Sequence, residues 1–274
     1  MILVLGSLHR DVLVEAPRLP ALDETLMGTR VSWRFGGKGG LQAVAAARCG
    51  ARVAFAGAVG SDEAGPALLA ALDAAGIDRS RVAVVDGSSG MSVAIDTPDG
   101  YGAVVVSGAN LRTSAPGIPG VVSTVLLQNE VPEAANLELA RALPRGATLI
   151  LNAAPARTVP DALRARVDLL VVNRVEAAAM GGLDVLRAGG TVIETLGAEG
   201  CRLGTPDGVA ALPAPRVKAV SSHGAGDAFC GALAAAHDRG LPLEAAVAAA
   251  QDYAARIVAA PYEARASVAP PPMR

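Results

Sequence analysis

The sequence predicts an α/β fold: a doubly wound, mostly parallel sheet sandwiched by helices, with a small additional β-sheet. Three observations predict it. Short apolar runs alternate with helical patterns along the chain, the order that βαβ units produce. Glycine turns follow the ends of those runs, as at Gly6-Ser7 and Gly197-Ala198-Glu199-Gly200. Hydrophobic residues, largely Ala, Val and Leu, make up 51% of the 274 residues, which suits strands buried on both faces.

Composition also excludes whole classes of function. The length suits one large domain, residues 1–274, with an ample core. A formal charge of −2 and only two lysines, Lys38 and Lys218, argue against general nucleic-acid or membrane binding. Cys49, Cys201 and Cys230 are dispersed without metal or redox spacing and read as reduced core residues. His9, His223 and His237 are scattered likewise and suggest no zinc site. The apolar run at Met1–Leu5 is too short for a signal peptide, and no run is long enough to span a bilayer. A cytoplasmic location is expected.

The elements follow in order. Ile2–Leu5 is a buried strand whose end delivers Leu8-His9-Arg10-Asp11, and ligands of open parallel sheets bind beyond such ends. Asp11 is equally well placed as a turn former. Val12–Glu15 and Leu26–Arg34 read as strands separated by turns. Phe35-Gly36-Gly37-Lys38-Gly39-Gly40-Leu41-Gln42 opens an apolar helix capped by Gly50. It is neither a P-loop nor a GxGxxG fingerprint, but its glycines permit a hinge and close backbone approach to a ligand. A strand at Arg52–Ala56, a loop at Gly57–Gly65, a helix at Pro66–Ala75 and a turn at Gly76-Ile77-Asp78 come next. Met91–Asp96 and Tyr101–Ser107 flank Pro98-Asp99-Gly100 as a hairpin, with Met91, Val93 and Ile95 on one face. Ala94, Val104 and Val106 leave that hairpin little polar surface, so it needs two partners. Thr113–Gly120, with two prolines and two glycines, is not helical.

Val121–Leu127 is an apolar strand carrying Gln128-Asn129-Glu130 at its tip. A helix over 133–143, a strand over 147–151 and a strand at Val167–Val172 continue the alternation. Asn173 and Glu176 have the spacing of a capping box. Thr191–Leu196 feeds the tight turn Gly197–Gly200. Ser221-Ser222-His223-Gly224-Ala225-Gly226-Asp227 ends a polar loop and opens a helix on which Phe229, Ala232, Leu233 and Ala236 repeat with helical period. Helix-start N–H groups lack internal partners and attract anions, and two glycines let a ligand come close. Asp227 is either a first-turn helix stabiliser or a base beside an anion cradle. Pro242 opens a last helix to about Val258, and a Pro-rich tail is expected to be loosely held.

The Gly224–Asp227 run resembles the Gly-Ala-Gly-Asp signature of the ribokinase-like sugar kinases, the phosphofructokinase B family, and Gly36–Gln42 resembles that family's Gly-Gly-Lys-Gly-x-Asn-Gln. Weaker matches at Gly6–Asp11, Gly57–Asp62, Gln128–Glu130, Asn173–Glu176 and Thr195–Gly200 spread the resemblance over nearly the whole chain. It implies an ATP- and Mg²⁺-dependent kinase acting on a hydroxyl, expected to be primary, of a small sugar. Asp227 would be the base, and the N–H groups of Gly224, Ala225, Gly226 and Asp227 the cradle. The acceptor would lie among His9, Asp11, Gly37, Lys38, Gly39, Leu41 and Glu130. ATP would lie against Asn173, Glu176, Thr195, Gly197 and Gly200, with Mg²⁺ near Asn173 and Glu176 and no direct protein metal site. The strands at about 11–35 and 90–108 would form a lid and a homodimer surface. His9 and Leu41 stand where the family has sugar-binding asparagines, so free ribose is not the expected best acceptor. Ser221 and His223 replace the Asp and Thr beside an activating potassium ion in ribokinases, so a weak monovalent-cation site and little potassium stimulation are expected. A nucleoside kinase of the same fold, or a sugar-binding protein without catalysis, remains the alternative. The missing GxGxxG after the first strand counts against a dinucleotide-dependent oxidoreductase.

Overall fold

A computed structural model describes residues 1–118 and 120–267. Ile2–Leu5 forms β1, whose side chains enter two cores in turn: Ile2 and Val4 face one, Leu3 and Leu5 the other, all fully buried. A strand covered on both faces has no use for polar alternation, which is why its sequence reads as a continuous apolar run. β2 (His9–Glu15) and β3 (Arg30–Gly36) leave this layer for a second sheet, and α1 (Lys38–Arg48) returns to it. β4 (Val53–Gly60), α2 (Ala64–Ala74) and β5 (Asp78–Val85) extend the first sheet on one side of β1. β6 (Gly90–Thr97) and β7 (Gly100–Val106) complete the second sheet. β8 (Thr124–Gln128), α3 (Glu133–Ala142), β9 (Thr148–Asn152), α4 (Asp161–Arg164) and β10 (Leu169–Asn173) build outward on the other side of β1. α5 (Arg174–Ala179), α6 (Leu183–Ala188), β11 (Thr191–Thr195), β12 (Cys201–Thr205) and β13 (Gly208–Leu212) finish the large sheet. α7 (Ala225–Asp238) and α8 (Leu243–Ala259) then pack on the face that α1 covers.

The large sheet has nine strands in the order β13-β12-β11-β10-β9-β8-β1-β4-β5. β5 through β11 run parallel, and β12 and β13 add an antiparallel hairpin at one edge. Strand order reverses at β1, so the crevice beyond its carboxyl end is where a ligand site belongs. The second sheet has the order β3-β2-β6-β7. Its register puts Asp11, Arg34 and Ser92 in one row and Val12, Trp33, Val93 and Val104 in the next, on the opposite face. Met91, Val93 and Ile95 share a face as expected, and Val104 joins them rather than facing away. One side of the small sheet therefore turns Asp11, Arg34 and Ser92 to the cleft, beside the apolar Leu13 and Ala94. The other is an exposed apolar face, with Trp33 at 54% and Val104 at 69% exposure.

Several boundaries differ from the sequence reading. The expected loop at Gly57–Gly65 begins as strand: β4 runs to Gly60 and is buried throughout. β5 begins at Asp78, the last residue of the expected turn, and its half-exposed stretch carries no strand signal; pairing with β4 makes it an edge strand. The β12–β13 hairpin is not among the elements expected from the sequence: both strands are five residues long, and β13 is largely exposed. The C-terminal tail is partly anchored, through a 3₁₀ turn at Tyr262–Ser267 in which Arg265 is buried. The rest of that Pro-rich stretch, residues 268–274, lies outside the described residues.

α1 and α7 approach at a glycine. A Cβ on Gly231 would clash with the Gln42 carbonyl and the Ala45 methyl. This contact brings Gln42 of α1 against the first turn of α7.

Candidate active site

The N-terminal mouth of α7 opens into a cleft of about 860 Å³ between the large sheet's carboxyl edge and the Asp11 face of the small sheet. Gly224 is the N-cap residue, with φ 75°, a left-handed conformation that favours glycine. No side chain caps this helix. The Ala225 N–H donates to the Ser222 carbonyl at 3.2 Å, so it is not one of the open donors expected from the sequence. Among the described residues, the N–H groups of Gly224, Gly226 and Asp227 meet no acceptor within the chain. A Cβ on Gly226 would meet no heavy atom within 4 Å. Open donors, open space and the positive end of a 14-residue helix make an anion site.

Asp227 is buried at the rim of this mouth. Its Oδ1 accepts from Gln42 Nε2 at 2.9 Å. The other Gln42 amide hydrogen goes to Asn152 Oδ1 at 3.1 Å, and Gln42 Oε1 accepts from Gln128 Nε2 at 2.8 Å. Three amides on α1, β8 and β9 therefore fix the carboxylate's orientation. Burial pushes the Asp227 carboxyl above its ordinary range, against the pull of the Lys38 ammonium and the Gln42 hydrogen bond. Lys38 lines the same cleft, and the fields of Asp227, then Glu130 and Glu176, raise its pKa and keep it charged.

On the small-sheet side, Asp11 lines the cleft and accepts from Ser92 Oγ at 2.6 Å. Gly36 makes room for it, since a Cβ there would overlap the Asp11 carboxylate. Arg34 sits across the β2–β3 ladder and lines the cleft as well. The remaining expected acceptor residues stand behind this surface. His9 is buried, and among the described residues its Nε2 meets no hydrogen-bond partner. Gly37 and Gly39 are packing glycines: a Cβ on either would run into the Ser7–His9 or Gly6–Ser7 backbone. Glu130 Oε2 accepts from Ser7 Oγ and from the Lys38 backbone N–H, so it caps the start of α1. Leu41 lines not the main cleft but an adjoining cavity of about 260 Å³. Phe35, Val44, Tyr253 and Tyr262 form its apolar walls, and Asp11, Arg34, His223 and Gly224 are shared with the cleft.

On the opposite side, Asn173 and Glu176 form a full capping box at the start of α5. Both also line the cleft, as does Thr195, whose hydroxyl donates to the Val172 carbonyl at 3.3 Å. Burial raises the Glu176 carboxyl's pKa. Gly197 and Gly200 do not line the cleft. Gly200 is buried with φ 100°, and a Cβ there would strike the β13 backbone, so its role is the turn.

The residues that sequence reasoning missed are Gln42, Asn152, Ser92 and Arg34. Gln42 had a signal: a wholly buried amide among the alanines of an apolar helix face, which demands polar partners.

The model of the pfkB family of carbohydrate kinases matches residues 1–268. Ribokinase of Bacillus subtilis is 33% identical over 259 residues, covering 90% of this chain and 88% of its own. Ribokinase of Haemophilus influenzae is 31% identical over 259 residues, with 85% and 84% covered. The structure of Arabidopsis thaliana ribokinase complexed with ribose and ATP superposes with a TM-score of 0.83 at 28% identity, over 94% of this chain and 92% of that one. Sequence and fold thus agree with proteins of one kind along the same stretch that builds the cleft, and the chain belongs to the pfkB family of carbohydrate kinases.

Proposed function

We propose that the protein transfers the γ-phosphoryl group of ATP to a hydroxyl, expected to be primary, on a small sugar, with Asp227 as general base. The observation that carries this reading is a buried carboxylate, held by Gln42, at the edge of three open N–H donors and beside Lys38. The acceptor hydroxyl oxygen bonds to the γ-phosphorus as the bond from that phosphorus to the bridging oxygen breaks. ADP leaves with that oxygen, and the hydroxyl proton passes to Asp227 Oδ2, the oxygen Gln42 does not hold. Charge on the moving group falls against the N–H groups of Gly224, Gly226 and Asp227 and the Lys38 ammonium. Asp11, with Ser92 and Arg34, holds acceptor hydroxyls, while His9, Gly37, Gly39 and Glu130 shape the pocket from behind.

Asn173, Glu176 and Thr195 form the nucleotide side, and Gly197 and Gly200 set its turn. Glu176 and Asp227 are carboxylates on the cleft wall, and the described residues hold no cluster of three metal-ligating side chains. Mg²⁺ in phosphoryl-transfer sites is bound through one or two carboxylates plus substrate phosphates. This donor set fits an ion that would come with the nucleotide, lie near Asn173 and Glu176 and supply positive charge against the phosphates.

The acceptor's identity turns on Leu41. Its side chain offers no hydrogen-bond partner, so a ribose hydroxyl buried against it costs ~1–3 kcal/mol. That is about tenfold to over a hundredfold in preference. The apolar cavity beside Leu41 favours a second reading, an acceptor with an apolar substituent such as a nucleoside. ADP release should be measured in competition among ribose, fructose, deoxyribose, 2-keto-3-deoxygluconate and nucleosides. Ribose is not expected to give the highest kcat/KM; if it does, the argument from Leu41 is wrong. No ADP release with any acceptor would favour a binding protein without catalysis.

The small sheet supports a further part of the proposal, a lid whose outer face joins two copies. Trp33, Val93 and Val104 form a contiguous exposed apolar row, the kind of surface that marks an interface. Light scattering at micromolar concentration is expected to give the mass of a dimer, and a monomer mass would refute the lid interface. A cytoplasmic location accords with three free, buried cysteines among the described residues, where no helix is long and apolar enough to cross a membrane.

A further inference from the structure

We infer that the Arg265 guanidinium is a built-in cation that positions the anion-binding mouth of α7, in the role an exchangeable monovalent ion would otherwise fill. The inference rests on the reading of Gly224–Asp227 as the phosphoryl cradle. Arg265 lies in the 3₁₀ turn after α8 and is only 7% exposed. Its Nη1 donates to the His223 carbonyl at 2.7 Å and its Nη2 to the Ser221 carbonyl at 2.9 Å. Its Nε donates to the Ala260 carbonyl at 3.3 Å. A buried positive charge set among backbone carbonyl oxygens is the coordination an alkali-metal ion takes. Here the ligands are the carbonyls of the segment that leads directly into Gly224.

That segment needs such a clamp. Its backbone ties to α8 run from the Val220 and Ser221 N–H groups to the Val258 carbonyl, at 2.7 and 3.3 Å. The Ala225 N–H closes the turn on the Ser222 carbonyl at 3.2 Å, a bond local to the segment, so Arg265 is what ties the Ser221 and His223 carbonyls to the rest of the fold. Each peptide plane links a carbonyl to the next residue's N–H, so fixing the His223 carbonyl fixes the direction of the Gly224 N–H. The planar fork of arginine holds two carbonyls at once, which a mobile ion or a lysine does less rigidly. Arg265 acts through these backbone groups and is a positioning residue.

The test compares wild type, Arg265→Ala and Arg265→Lys in ATP-dependent turnover, with tetramethylammonium, potassium or guanidinium at constant ionic strength. Wild type should be indifferent to the choice of cation. Arg265→Ala should lose about tenfold or more in kcat, with a smaller change in KM for the acceptor. Guanidinium or potassium should restore several-fold of that loss, because Arg265 lines the cavity beside Leu41 and its removal opens the carbonyls to that space. Arg265→Lys should retain more activity than Arg265→Ala. Hydrogen exchange of a peptide spanning 219–227 should quicken in Arg265→Ala and slow again with the rescuing cation. Several-fold potassium stimulation of wild type, undiminished kcat in Arg265→Ala, or a loss that no cation recovers would overturn the inference. Asp227→Asn run in parallel separates the two readings. Full activity there sinks the cradle, whereas an inactive Asp227→Asn beside a cation-insensitive Arg265→Ala sinks only the role of Arg265.

Discussion

Asp227→Asn is expected to lower kcat by about 10²–10⁴-fold, the usual range for a lost general base, with the fold and ADP binding intact. The substitution is isosteric, and an asparagine oxygen can still accept the 2.9 Å hydrogen bond from Gln42 Nε2. It removes the proton-accepting capacity and the negative charge that faces Lys38, with little change in shape. Asp227→Ala would be a poorer test, because it leaves the Gln42 amide buried without its partner. Stability provides the internal control. Burial raises the folded-state pKa of Asp227 above its ordinary 3.8. A carboxyl shifted in that direction contributes stability that is fully present below the ordinary pKa and is lost as pH rises through the raised value. Near neutral pH the ionised group is therefore a cost, and Asn should leave the melting temperature unchanged or higher. Scanning calorimetry at pH 7 beside steady-state kinetics checks both halves. A variant with near-normal turnover removes Asp227 from the base's role. One that melts earlier shows that burial does not burden this site.

The parts of this site that were legible in the sequence are those whose chemistry is local. Gly224, Gly226 and Asp227 announce a helix mouth because open N–H groups, missing side chains and an acid are contiguous in the chain. Lys38 stood out in a chain with two lysines, and Asp11 lay at a strand end where a parallel sheet binds ligands. What stayed hidden depends on long-range contact. Gln42 and Asp227 are separated by 185 positions, Ser92 and Asp11 by 81, and Arg265 and His223 by 42. No periodicity or spacing records such pairs. The fold shows the same division. Strands buried on both faces, such as β1 and β8, read plainly as apolar runs. The edge strands β5 and β13 have little burial to encode, and their sequences carry no strand signal. The directions of the Glu130 and Leu41 side chains stayed hidden for a related reason: a motif fixes where a residue lies along the chain, but packing decides where its side chain points. Glu130 turns to the Lys38 N–H and Leu41 to the neighbouring cavity.

Lys38→Met should be the next most damaging change, and its signature should be a displaced pH profile as well as a slower rate. Lys38 lies in the field of three carboxylates, Asp227, Glu130 and Glu176, whose combined effect raises its pKa. Its charge in turn lowers the pKa of Asp227 and of Glu176, opposing the effect of burial on both. Methionine keeps the length and apolar volume of the side chain while removing the charge. Without the ammonium, the largest pull against desolvation is gone, only the Gln42 hydrogen bond and the His223 field still oppose it, and the Asp227 carboxyl holds its proton to higher pH. A general base works only when deprotonated, so the acidic limb of kcat/KM should move toward alkaline pH. The plateau should also fall, by about 10²–10³-fold, the range for losing one preorganised group that stabilises transition-state charge. Lys38→Arg, which keeps the charge and changes the geometry, should leave the acidic limb near its original position even where its plateau drops. Profiles of kcat/KM against pH for wild type and both variants, on the best acceptor of the panel, decide the matter. An acidic limb that stays in place in Lys38→Met, with a plateau within a few-fold of wild type, would make Lys38 an ordinary solvated lysine and leave Asp227 without an electrostatic partner.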